Sequence, residues 1–266
     1  MTIENLLSTA TNQLRASGST TPRLDCLILF ETVLGKERLW IIAHPDHSLL
    51  PEQEKALHTL IAKRARHIPL AYLTGKQEFY GRQFSVTPDV LIPRPETEDL
   101  IAIAKNARPA TLLDVGTGSG AIAITLALET GAATTACDTS LTALAVAKQN
   151  AKVLTAPVTF VHSNLLQNIH GQFDCIVANL PYVDKTWQRS PETAHEPAEA
   201  LFASDHGLGL IKKLVLQAPS HLAAGGHLVL EADPRQHTAI AAFAKANNFT
   251  LSKSISFALE FYSKGS

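Results

Sequence analysis

The sequence lacks an excess of charge of either sign. Of its 266 residues, 23 are Lys or Arg and 24 are Asp or Glu, so the formal net charge at pH 7 is −1. Proteins that follow a nucleic-acid backbone usually carry a strong basic excess. We therefore expect no extended nucleic-acid-binding surface, while a local basic patch stays open.

Long uninterrupted hydrophobic runs are also missing. Each apolar stretch of membrane-spanning length contains a charge, a proline or another polar residue. The N-terminus, Met1-Thr2-Ile3-Glu4-Asn5, has neither the basic start nor the apolar run of a signal peptide. With 45% hydrophobic and 18% charged residues, the composition is typical of a globular chain. We expect a cytoplasmic protein with no membrane contact.

Cysteine is scarce. Cys26, Cys137 and Cys175 are far apart, each lies in an apolar run, and no Cys-x-x-Cys pair is present. This pattern predicts buried, reduced thiols. The spacing of His44 and His47 could suit a metal, but Pro45 between them favours a turn, so we expect no metal site.

The first 75 residues have apolar positions at helical spacing. Thr21-Pro22 predicts a helix start and Gly35 a helix end. Another helix is predicted to begin at Pro51, with acids in its first turn. The basic stretch Lys63-Arg64-Ala65-Arg66 is interpreted as its solvated C-terminal face, with an acidic or RNA partner as the alternative.

The pattern changes after residue 75. Glu78 to Val86 alternate in polarity around Gly81, which predicts a β-hairpin. From about residue 94 strands and helices alternate, which favours a parallel doubly wound α/β sheet. The strand candidates are Thr111–Val115, Thr134–Asp138, Val158–Val161, Phe173–Ala178, His227–Glu231 and Phe257–Phe261. We predict three parts: a helical domain over 1–75, a hairpin linker over 76–93 and an α/β domain over 94–266.

A glycine-rich loop, Asp114-Val115-Gly116-Thr117-Gly118-Ser119-Gly120, joins the first predicted strand of this domain to the next helix. Glycine at every second position lets a ligand approach the backbone closely. The spacing is not the dinucleotide fingerprint, and the loop lacks the lysine of a phosphate-binding P-loop. The alternative is a tight strand-to-helix turn with no ligand.

Two later strand ends supply polar groups at the same edge of the predicted sheet. Asp138 can accept hydrogen bonds from both hydroxyls of a ribose, although a helix N-cap is the alternative for this residue. At Ser163-Asn164-Leu165, Asn164 can accept from an adenine amino group and Leu165 can cover the ring. None of these predicted residues is suited to bind a second phosphate. The predicted ligand-binding residues therefore favour S-adenosylmethionine over NAD.

The tetrapeptide Asn179-Leu180-Pro181-Tyr182 follows the apolar run Phe173–Ala178. The side-chain oxygen of Asn179 and the carbonyl beside Pro181 can each accept one N–H of a planar –NH₂ group, and Tyr182 can stack on that group. Such acceptors orient the nitrogen toward an electrophile. The tetrapeptide predicts methyl transfer to an amide or an exocyclic amine, with a strand-ending turn as the alternative.

With two further motifs, the chain resembles the release-factor glutamine N5-methyltransferases (HemK-type). These motifs are Gly75-Lys76-Gln77-Glu78-Phe79-Tyr80-Gly81 and Val90-Leu91-Ile92-Pro93-Arg94-Pro95-Glu96-Thr97-Glu98. Glu196-Pro197, Ala200-Leu201, Gly225-Gly226, Glu231 and Gln236 fit as well. The resemblance covers nearly the whole chain.

The resemblance implies a Rossmann-like seven-stranded methyltransferase domain after an N-terminal domain that recognises release factors. It implies that Asn179 to Tyr182 hold the glutamine of a Gly-Gly-Gln motif in class 1 peptide chain release factors, and that Phe79 and Arg94 line the entrance. S-adenosylmethionine is converted to S-adenosylhomocysteine without a metal. The implied cofactor-binding residues are Gly116, Thr117, Gly118, Ser119, Gly120, Asp138, Asn164, Leu165 and Asn179.

Three positions depart from the common family pattern. Leu180 stands where proline is commonest, Asn164 where aspartate is usual, and Ala232-Asp233 where Ile-Gly often follows the glutamate. An adenine-type nucleic-acid methyltransferase is the alternative function, because a base amine and a carboxamide are both planar –NH₂ groups. A base methylator needs a basic surface and an aromatic floor for a flipped base, so the balanced charge favours the protein substrate. A non-enzymatic module is disfavoured by the intact Asn179, Pro181 and Tyr182.

Overall fold

The computed structural model describes residues 1–263 and divides into two compact units. The first unit consists of Met1–Lys76 together with Arg189–His195, and the second consists of Gln77–Gln188 and the residues from Glu196 onward. The last three residues of the predicted 94–266 domain lie outside the described residues. Within residues 1–263, no helix has the length and apolarity needed to cross a membrane.

The first unit is helical, as its leucine spacing predicts. Pro22 occupies the first turn of its second helix, and Gly35 ends that helix in the left-handed conformation, with φ of 61°. Thr21 does not cap this helix, because its hydroxyl instead donates to Asp25 Oδ1 at 2.7 Å. The helices are α1 Ile3–Ala16, α2 Pro22–Leu34, α3 Arg38–Ala43, α4 Pro51–Arg64 and α5 Leu70–Thr74.

Arg64 is an exception to the interpretation of the basic stretch as a solvated face, which holds for the exposed Lys63 and Arg66. Its side chain is buried, with Nε donating to Asp25 Oδ2 and Nη2 donating to Glu192 Oε1, both at 2.7 Å. A buried guanidinium needs such carboxylate partners, because desolvation of an unpaired charge is costly. Arg64 therefore joins α2 and α4 to the segment Arg189–His195 inside the first unit.

The predicted hairpin is present as β1 Lys76–Phe79 and β2 Arg82–Ser85, a separate two-stranded sheet. Tyr80 and Gly81 form its turn, both with positive φ. Phe79 packs edge-on against Phe84 at a centroid distance of 6.2 Å. The hairpin thus contributes aromatic rings to the hydrophobic core.

Within the described residues, the second unit contains one sheet of seven strands in the order β5-β4-β3-β6-β7-β9-β8. The strands are β3 Thr111–Val115, β4 Ala133–Asp138, β5 Val158–His162, β6 Phe173–Ala178, β7 Leu222–Glu231, β8 Phe249–Ile255 and β9 Ala258–Ser263. The helices of this unit are α6 Glu98–Asn106, α7 Ala121–Thr130, α8 Leu141–Val153, α9 Ala198–Leu201, α10 Gly209–Gln217 and α11 His237–Ala246. This is the Rossmann-like methyltransferase fold that the sequence resemblance implies.

Both faces of the central strands are buried. Leu112 and Cys175 belong to one hydrophobic cluster, whereas their neighbours Leu113 and Ile176 belong to another. Successive side chains of a strand point to opposite faces, so alternation between two clusters places core on both sides of the sheet. This explains why apolar residues in these strands occupy positions on both faces of the sheet and do not strictly alternate with polar ones.

The prediction of a parallel sheet holds for β3 to β7 but is wrong at one edge. There β9 runs antiparallel to both β7 and β8. The sequence interpretation missed β8, because Phe249 is its one buried residue and the rest of the strand is polar or exposed. An edge strand with a single buried position shows no clear alternation.

The central strand β3 lies between β4 and β6, and β5 lies beyond β4, all four in parallel. The chain order reverses beside β3, and a crevice forms at such a point beyond the carboxyl ends of the strands. The strand ends at Val115, Asp138, His162 and Ala178 therefore meet at one edge.

Candidate active site

A pocket in the second unit opens at this edge of the sheet. It collects most of the residues that the sequence marked as functional. The predicted residues that line it are Arg94, Gly116, Thr117, Gly118, Ser119, Asp138, Asn164, Leu165, Asn179, Leu180 and Pro181. Gly120, Tyr182 and Phe79 lie outside its lining.

Gly116 lies directly against the tetrapeptide. Its φ is 77°, and a Cβ built on it would lie 2.9 Å from Leu180 Cδ2. The backbone N–H groups of Gly116 and Thr117 both donate to the Cys137 carbonyl, at 2.8 and 3.0 Å. The loop is thus fixed to the end of β4 while the Leu180 side chain packs on it.

Gly120 is required for a different reason. With φ of 82° it precedes α7, and a Cβ there would lie 2.8 Å from Ile124 Cδ1 and 3.2 Å from Ala147 Cβ. It holds the helix close to α8 rather than lining the pocket. The structure therefore gives Gly120 a packing role, and its contact with the cofactor stays a prediction.

Asp114 orients the loop from beneath. Its side chain is fully buried, and Oδ2 accepts hydrogen bonds from Thr117 Oγ1 at 2.7 Å and from the Ala123 N–H at 3.2 Å. Burial raises the pKa of this carboxyl to about 7, and the nearby Asp138 charge acts in the same direction. The two hydrogen bonds lower the pKa and only partly offset the burial.

Asp138 presents a carboxylate at the end of β4. Oδ2 accepts the Gly118 N–H at 2.9 Å, and Oδ1 accepts the Ser140 N–H at 2.8 Å. A carboxylate offers about four acceptor positions, so each oxygen keeps capacity for a further donor. Ser140, not Asp138, caps α8 by accepting the Ala143 N–H at 3.1 Å.

Asn164 and Leu165 form another part of the pocket wall. Leu165 has φ of 51° and is buried, and its carbonyl accepts the Ser163 hydroxyl at 2.7 Å. This turn places Asn164 as an exposed neighbour on the pocket. An apolar side chain beside an amide suits a flat heterocycle with a polar edge.

Asn150 supports the glycine-rich loop of the site, and sequence reasoning did not mark it. It is buried in α8, where Oδ1 accepts the Ser85 N–H at 2.8 Å. Its Nδ2 donates to the carbonyls of Ser85 and Ser119, at 3.0 and 2.9 Å. One side chain therefore connects the hairpin to the glycine-rich loop, and its helical sequence context carries no signal of this.

Within the tetrapeptide, Asn179 Nδ2 donates to Thr97 Oγ1 at 3.2 Å. Because this bond occupies the amide nitrogen, the side-chain oxygen of Asn179 is left over. That oxygen is the atom predicted from the sequence to accept an N–H of the substrate. The Tyr182 hydroxyl donates to Glu231 Oε1 at 3.1 Å, while the Tyr182 carbonyl accepts Gln236 Nε2 at 2.8 Å. Tyr182 is therefore held at both ends beside the pocket rather than lining it.

Glu231 ends β7 beneath this motif. It is buried, and burial raises the pKa of its carboxyl to about 7. The Thr97, Tyr182 and Asn179 side chains act in the opposite direction on that pKa. The sequence marked Glu231 only through the family resemblance, and its hydrogen-bond partners could not be predicted from it.

Arg94 lines the pocket mouth and is held by Glu196. The guanidinium Nη2 donates to Glu196 Oε1, and Glu196 Oε2 accepts the Ile92 N–H at 3.3 Å. Glu196 is itself buried, so Arg94 has a fixed anchor. Phe79 does not share this location.

The expected contact between Phe79 and a substrate is at odds with the structure. The residue is 1% exposed, because its ring packs into the core cluster of the second unit against Phe84. A ring in that position offers no surface to a peptide. Phe79 in this motif therefore serves to pack the hairpin against the core.

The Ala232-Asp233 departure has a structural account. The Asp233 side chain accepts the Arg235 N–H at 2.9 Å, and Gln236 Oε1 accepts the Asp233 N–H, which together form a capping box. Asp233 also pairs with the Arg235 guanidinium, which lies 3.7 Å from the Trp187 ring centroid. Asp233 thus starts the turn that delivers Gln236 to Tyr182.

The residues present fit S-adenosylmethionine. The Asp138 carboxylate suits a ribose diol, Asn164 and Leu165 suit adenine, and the side-chain-free Gly118 leaves open space along the loop. In residues 1–263, no group of three or more His, Cys, Asp or Glu side chains is arranged to hold a metal ion.

Two family models match the chain. Residues 5–75 match the PrmC N-terminal domain, and residues 97–200 match the methyltransferase small domain. The release factor glutamine methyltransferase of Koribacter versatilis is 40% identical over 87% of this chain and 86% of its own length. The same-named proteins of Deinococcus radiodurans and Salmonella typhimurium are each 37% identical, over 91% and 94% of this chain and 90% and 92% of their own lengths.

Solved structures share the fold at low identity. A methyltransferase from Pyrococcus furiosus has a TM-score of 0.54 at 16% identity, covering 80% of this chain and 98% of its own. A 16S rRNA methyltransferase from T. thermophilus, solved with AdoMet and guanosine, has a TM-score of 0.53 at 16% identity, covering 72% and 50%. At these identities the similarity concerns the fold alone.

Proposed function

Since the chain belongs to the release factor glutamine methyltransferase family, we propose that it methylates peptide chain release factors. The methyl group goes from S-adenosylmethionine to the side-chain amide nitrogen (N5) of the glutamine in the Gly-Gly-Gln motif of class 1 factors. The modified glutamine would modulate translation termination. We predict that the enzyme acts in the cytoplasm.

The single observation that carries this function is the position of Asn179. It directly follows β6 and lines the pocket, with its amide nitrogen bonded to Thr97. Its Oδ1 and the carbonyl beside Pro181 then accept the two N–H groups of the substrate amide. Orientation of this kind can supply several kcal/mol, up to about 7–11 in ideal cases.

The cofactor is held by the glycine-rich loop, by Asp138 through the ribose, and by Asn164 and Leu165 around the adenine. S-adenosylmethionine supplies the electrophilic methyl group and leaves as S-adenosylhomocysteine. Leu180 closes the wall between this loop and the substrate. The match of residues 5–75 to a named N-terminal domain supports a role for the helical unit in recognising the release factor.

The substrate amide nitrogen is a weak nucleophile, because its lone pair is delocalised into the carbonyl. Two fixed acceptors on its N–H groups orient its lone pair toward the methyl group and localise electron density on nitrogen, and the proton that nitrogen gives up would pass to water. Tyr182, held by Glu231 and Gln236, lies beside the pocket and fixes the end of the tetrapeptide that carries these acceptors. Arg94, anchored by Glu196, contacts the peptide at the mouth.

The test is transfer of a labelled methyl group from S-adenosylmethionine to a purified release factor. We expect one methyl per factor, located on the glutamine of Gly-Gly-Gln by peptide mass spectrometry. A release factor with that glutamine changed to glutamate keeps the length but lacks the –NH₂, so it should accept no label. Label in RNA or DNA instead would contradict the proposal and favour the adenine alternative.

A further inference from the structure

A buried chain of polar groups lies behind the tetrapeptide. Asn179 Nδ2 donates to Thr97 Oγ1 at 3.2 Å, and the Tyr182 hydroxyl donates to Glu231 Oε1 at 3.1 Å. Glu231 and Thr97 are 2% and 3% exposed. Neither Glu231 nor Tyr182 lines the pocket, so any influence of Glu231 on the substrate passes through other residues.

The second oxygen of Glu231 is the open end of this chain. Oε2 is buried and accepts no well-aligned hydrogen bond within the described residues. The Thr97 and Asn179 side chains nevertheless both lie close enough to the carboxyl to lower its pKa by hydrogen bonding, and Asn179 is in turn bonded to Thr97. A hydroxyl hydrogen rotates freely, so the Thr97 hydrogen can turn to this oxygen.

The direction of these hydrogen bonds follows from the chemistry of each group. An ionised carboxylate only accepts, whereas a threonine hydroxyl has one hydrogen to donate. If the Thr97 hydrogen points to Glu231, the Thr97 oxygen is left to accept from the Asn179 –NH₂. Asn179 must then present its oxygen, not its nitrogen, at the pocket.

We propose that Glu231 is a positioning residue that, through Thr97, selects which end of the Asn179 amide faces the substrate, and that through the Tyr182 hydroxyl fixes the end of the tetrapeptide. This inference rests on the proposed function and deepens it. An Asn179 amide turned by 180° would present two hydrogens to a substrate –NH₂ and repel it. The orientation of Asn179 is thus set from a buried acid that touches no ligand.

The first test measures kcat and the KM for S-adenosylmethionine with a release factor as substrate. Thr97→Val removes the hydroxyl at nearly constant shape, and Thr97→Ser restores it. We expect Thr97→Val and Glu231→Gln to lower kcat about tenfold to a hundredfold, as for a lost hydrogen bond to a charged group. The KM for S-adenosylmethionine should stay within about twofold, and Thr97→Ser should keep most of the turnover.

Glu260 provides a matched control on the neighbouring strand β9. It is also buried and is bonded to His227 and Ser252, away from the pocket. Glu260→Gln should therefore leave kcat unchanged, which separates the effect of Glu231 from the loss of any buried carboxylate. Thermal unfolding of each variant checks that it folds.

The double variant tests whether Thr97 and Glu231 act through one chain. If they do, Thr97→Val with Glu231→Gln lowers kcat no further than the more damaging single change, because the second change removes an interaction already lost. Additive losses would overturn the relay between them.

The pH profile gives a readout that a merely structural role would not move. A protonated Glu231 donates, so it competes with Asn179 for the Thr97 oxygen, and wild-type kcat should fall on the acidic side of neutral. In Glu231→Gln this limb should be absent. The titratable groups that face Glu231 are Glu96 and Tyr182, and Asp233 faces Tyr182. If kcat of Glu231→Gln still falls on the acidic side of neutral, the fall belongs to another group, and the inference is overturned.

The outcomes separate this inference from the proposed function. If the wild-type protein methylates no release factor, the proposed function fails, and the inference fails with it. If the wild type methylates the glutamine but Thr97→Val and Glu231→Gln turn over at the wild-type rate, only the inference fails. A rise in the KM for S-adenosylmethionine with unchanged kcat would likewise overturn it.

Discussion

Leu180 Cδ2 lies 2.9 Å from the point that a Cβ on Gly116 would occupy. The glycine-rich loop after β3 and the tetrapeptide after β6 are therefore in direct van der Waals contact, and the contact requires glycine on one side. Leu180 stands where the resembling family most often has proline. Its side chain is buried between the two binding regions, so the departure changes the wall of the pocket and leaves the amide acceptors in place.

Gly116→Ala should destabilise the protein more than Gly118→Ala. Both glycines have positive φ, which costs an alanine about 1–2 kcal/mol, but no atom lies within 4 Å of a Cβ at Gly118. We expect overpacking against Leu180 to add about 1–3 kcal/mol at Gly116. Urea unfolding measures both. In the Gly116→Ala and Leu180→Ala cycle, the double variant should lose less stability than the sum of the single changes.

Asp138→Asn should weaken cofactor binding. An asparagine has one acceptor oxygen, so it would turn its –NH₂ toward the N–H of Gly118 or of Ser140. Loss of a hydrogen bond to a charged group costs about 1.5–3 kcal/mol, which calorimetric titration with S-adenosylhomocysteine would detect. Asp174→Asn is the control, because Asp174 accepts backbone N–H groups of Ala110 and Thr111 at the opposite end of the sheet. It should lower stability and leave affinity unchanged.

Asn179→Ala and Asn164→Ala should have opposite kinetic signatures. Asn179 is expected to act on the substrate amide, so its loss should lower kcat far more than it changes the affinity for S-adenosylmethionine. Asn164 is exposed on the pocket wall and is expected to bind adenine. Asn164→Ala should therefore raise the KM for the cofactor with little change in kcat. Steady-state kinetics with both substrates varied decides this, and equal effects on affinity alone would reject the role given to Asn179.

Stability should fall as the pH rises from about 4 to about 7 because of two buried acids. Asp114 and Glu231 have pKa values of about 7 in the fold, against 3.8 and 4.5 in an unperturbed state. In this window the native state binds more protons than the unfolded state, so deprotonation favours unfolding. The slope of melting temperature against pH should flatten in Asp114→Asn and Glu231→Gln.

A loss of stability as the pH falls has a separate origin. Salt-bridged or hydrogen-bonded acids such as Asp174 and Asp233 have lowered pKa values, so their contribution is present at neutral pH and is lost only on strong acidification. Near pH 3 to 4, at about the unperturbed carboxyl pKa values, Asp114 and Glu231 are protonated in both the folded and the unfolded state. The curves of melting temperature against pH for the wild type and for the two variants should therefore coincide there and diverge at higher pH. Identical profiles throughout would show that neither buried acid is perturbed.

Much of the fold follows from local patterns. The helix limits at Pro22 and Gly35, the hairpin around Gly81 and the five parallel strands follow from propensity and apolar periodicity alone. The edge strand β8 escaped prediction because one buried Phe249 produces no periodic signal. Its antiparallel partner β9 was found, but its direction depends on which strand it pairs with.

The polar residues of the site divide in the same way. Residues that end an apolar strand or form a glycine-rich turn, such as Asp138, Asn179 and Gly116, carry a sequence signal because ligands bind beyond strand ends. Asn150 lies near the C-terminal end of helix α8 and Phe79 in a motif of the family resemblance, and the role of each depends on what packs against it. The first holds the glycine-rich loop by a hydrogen bond, and the second belongs to the core.

The sequence by itself determined which backbone positions could turn, which strands would be buried and which side chains would reach the carboxyl edge of the sheet. These are properties of short segments, set by sterics and by hydrophobic periodicity. Only the tertiary structure decided that Leu180 packs on Gly116, that Asn179 meets Thr97, and that Glu231 lies behind both as a buried acid. Those relationships join residues far apart in the chain, and burial, hydrogen-bond direction and raised pKa exist only once the packing brings them together.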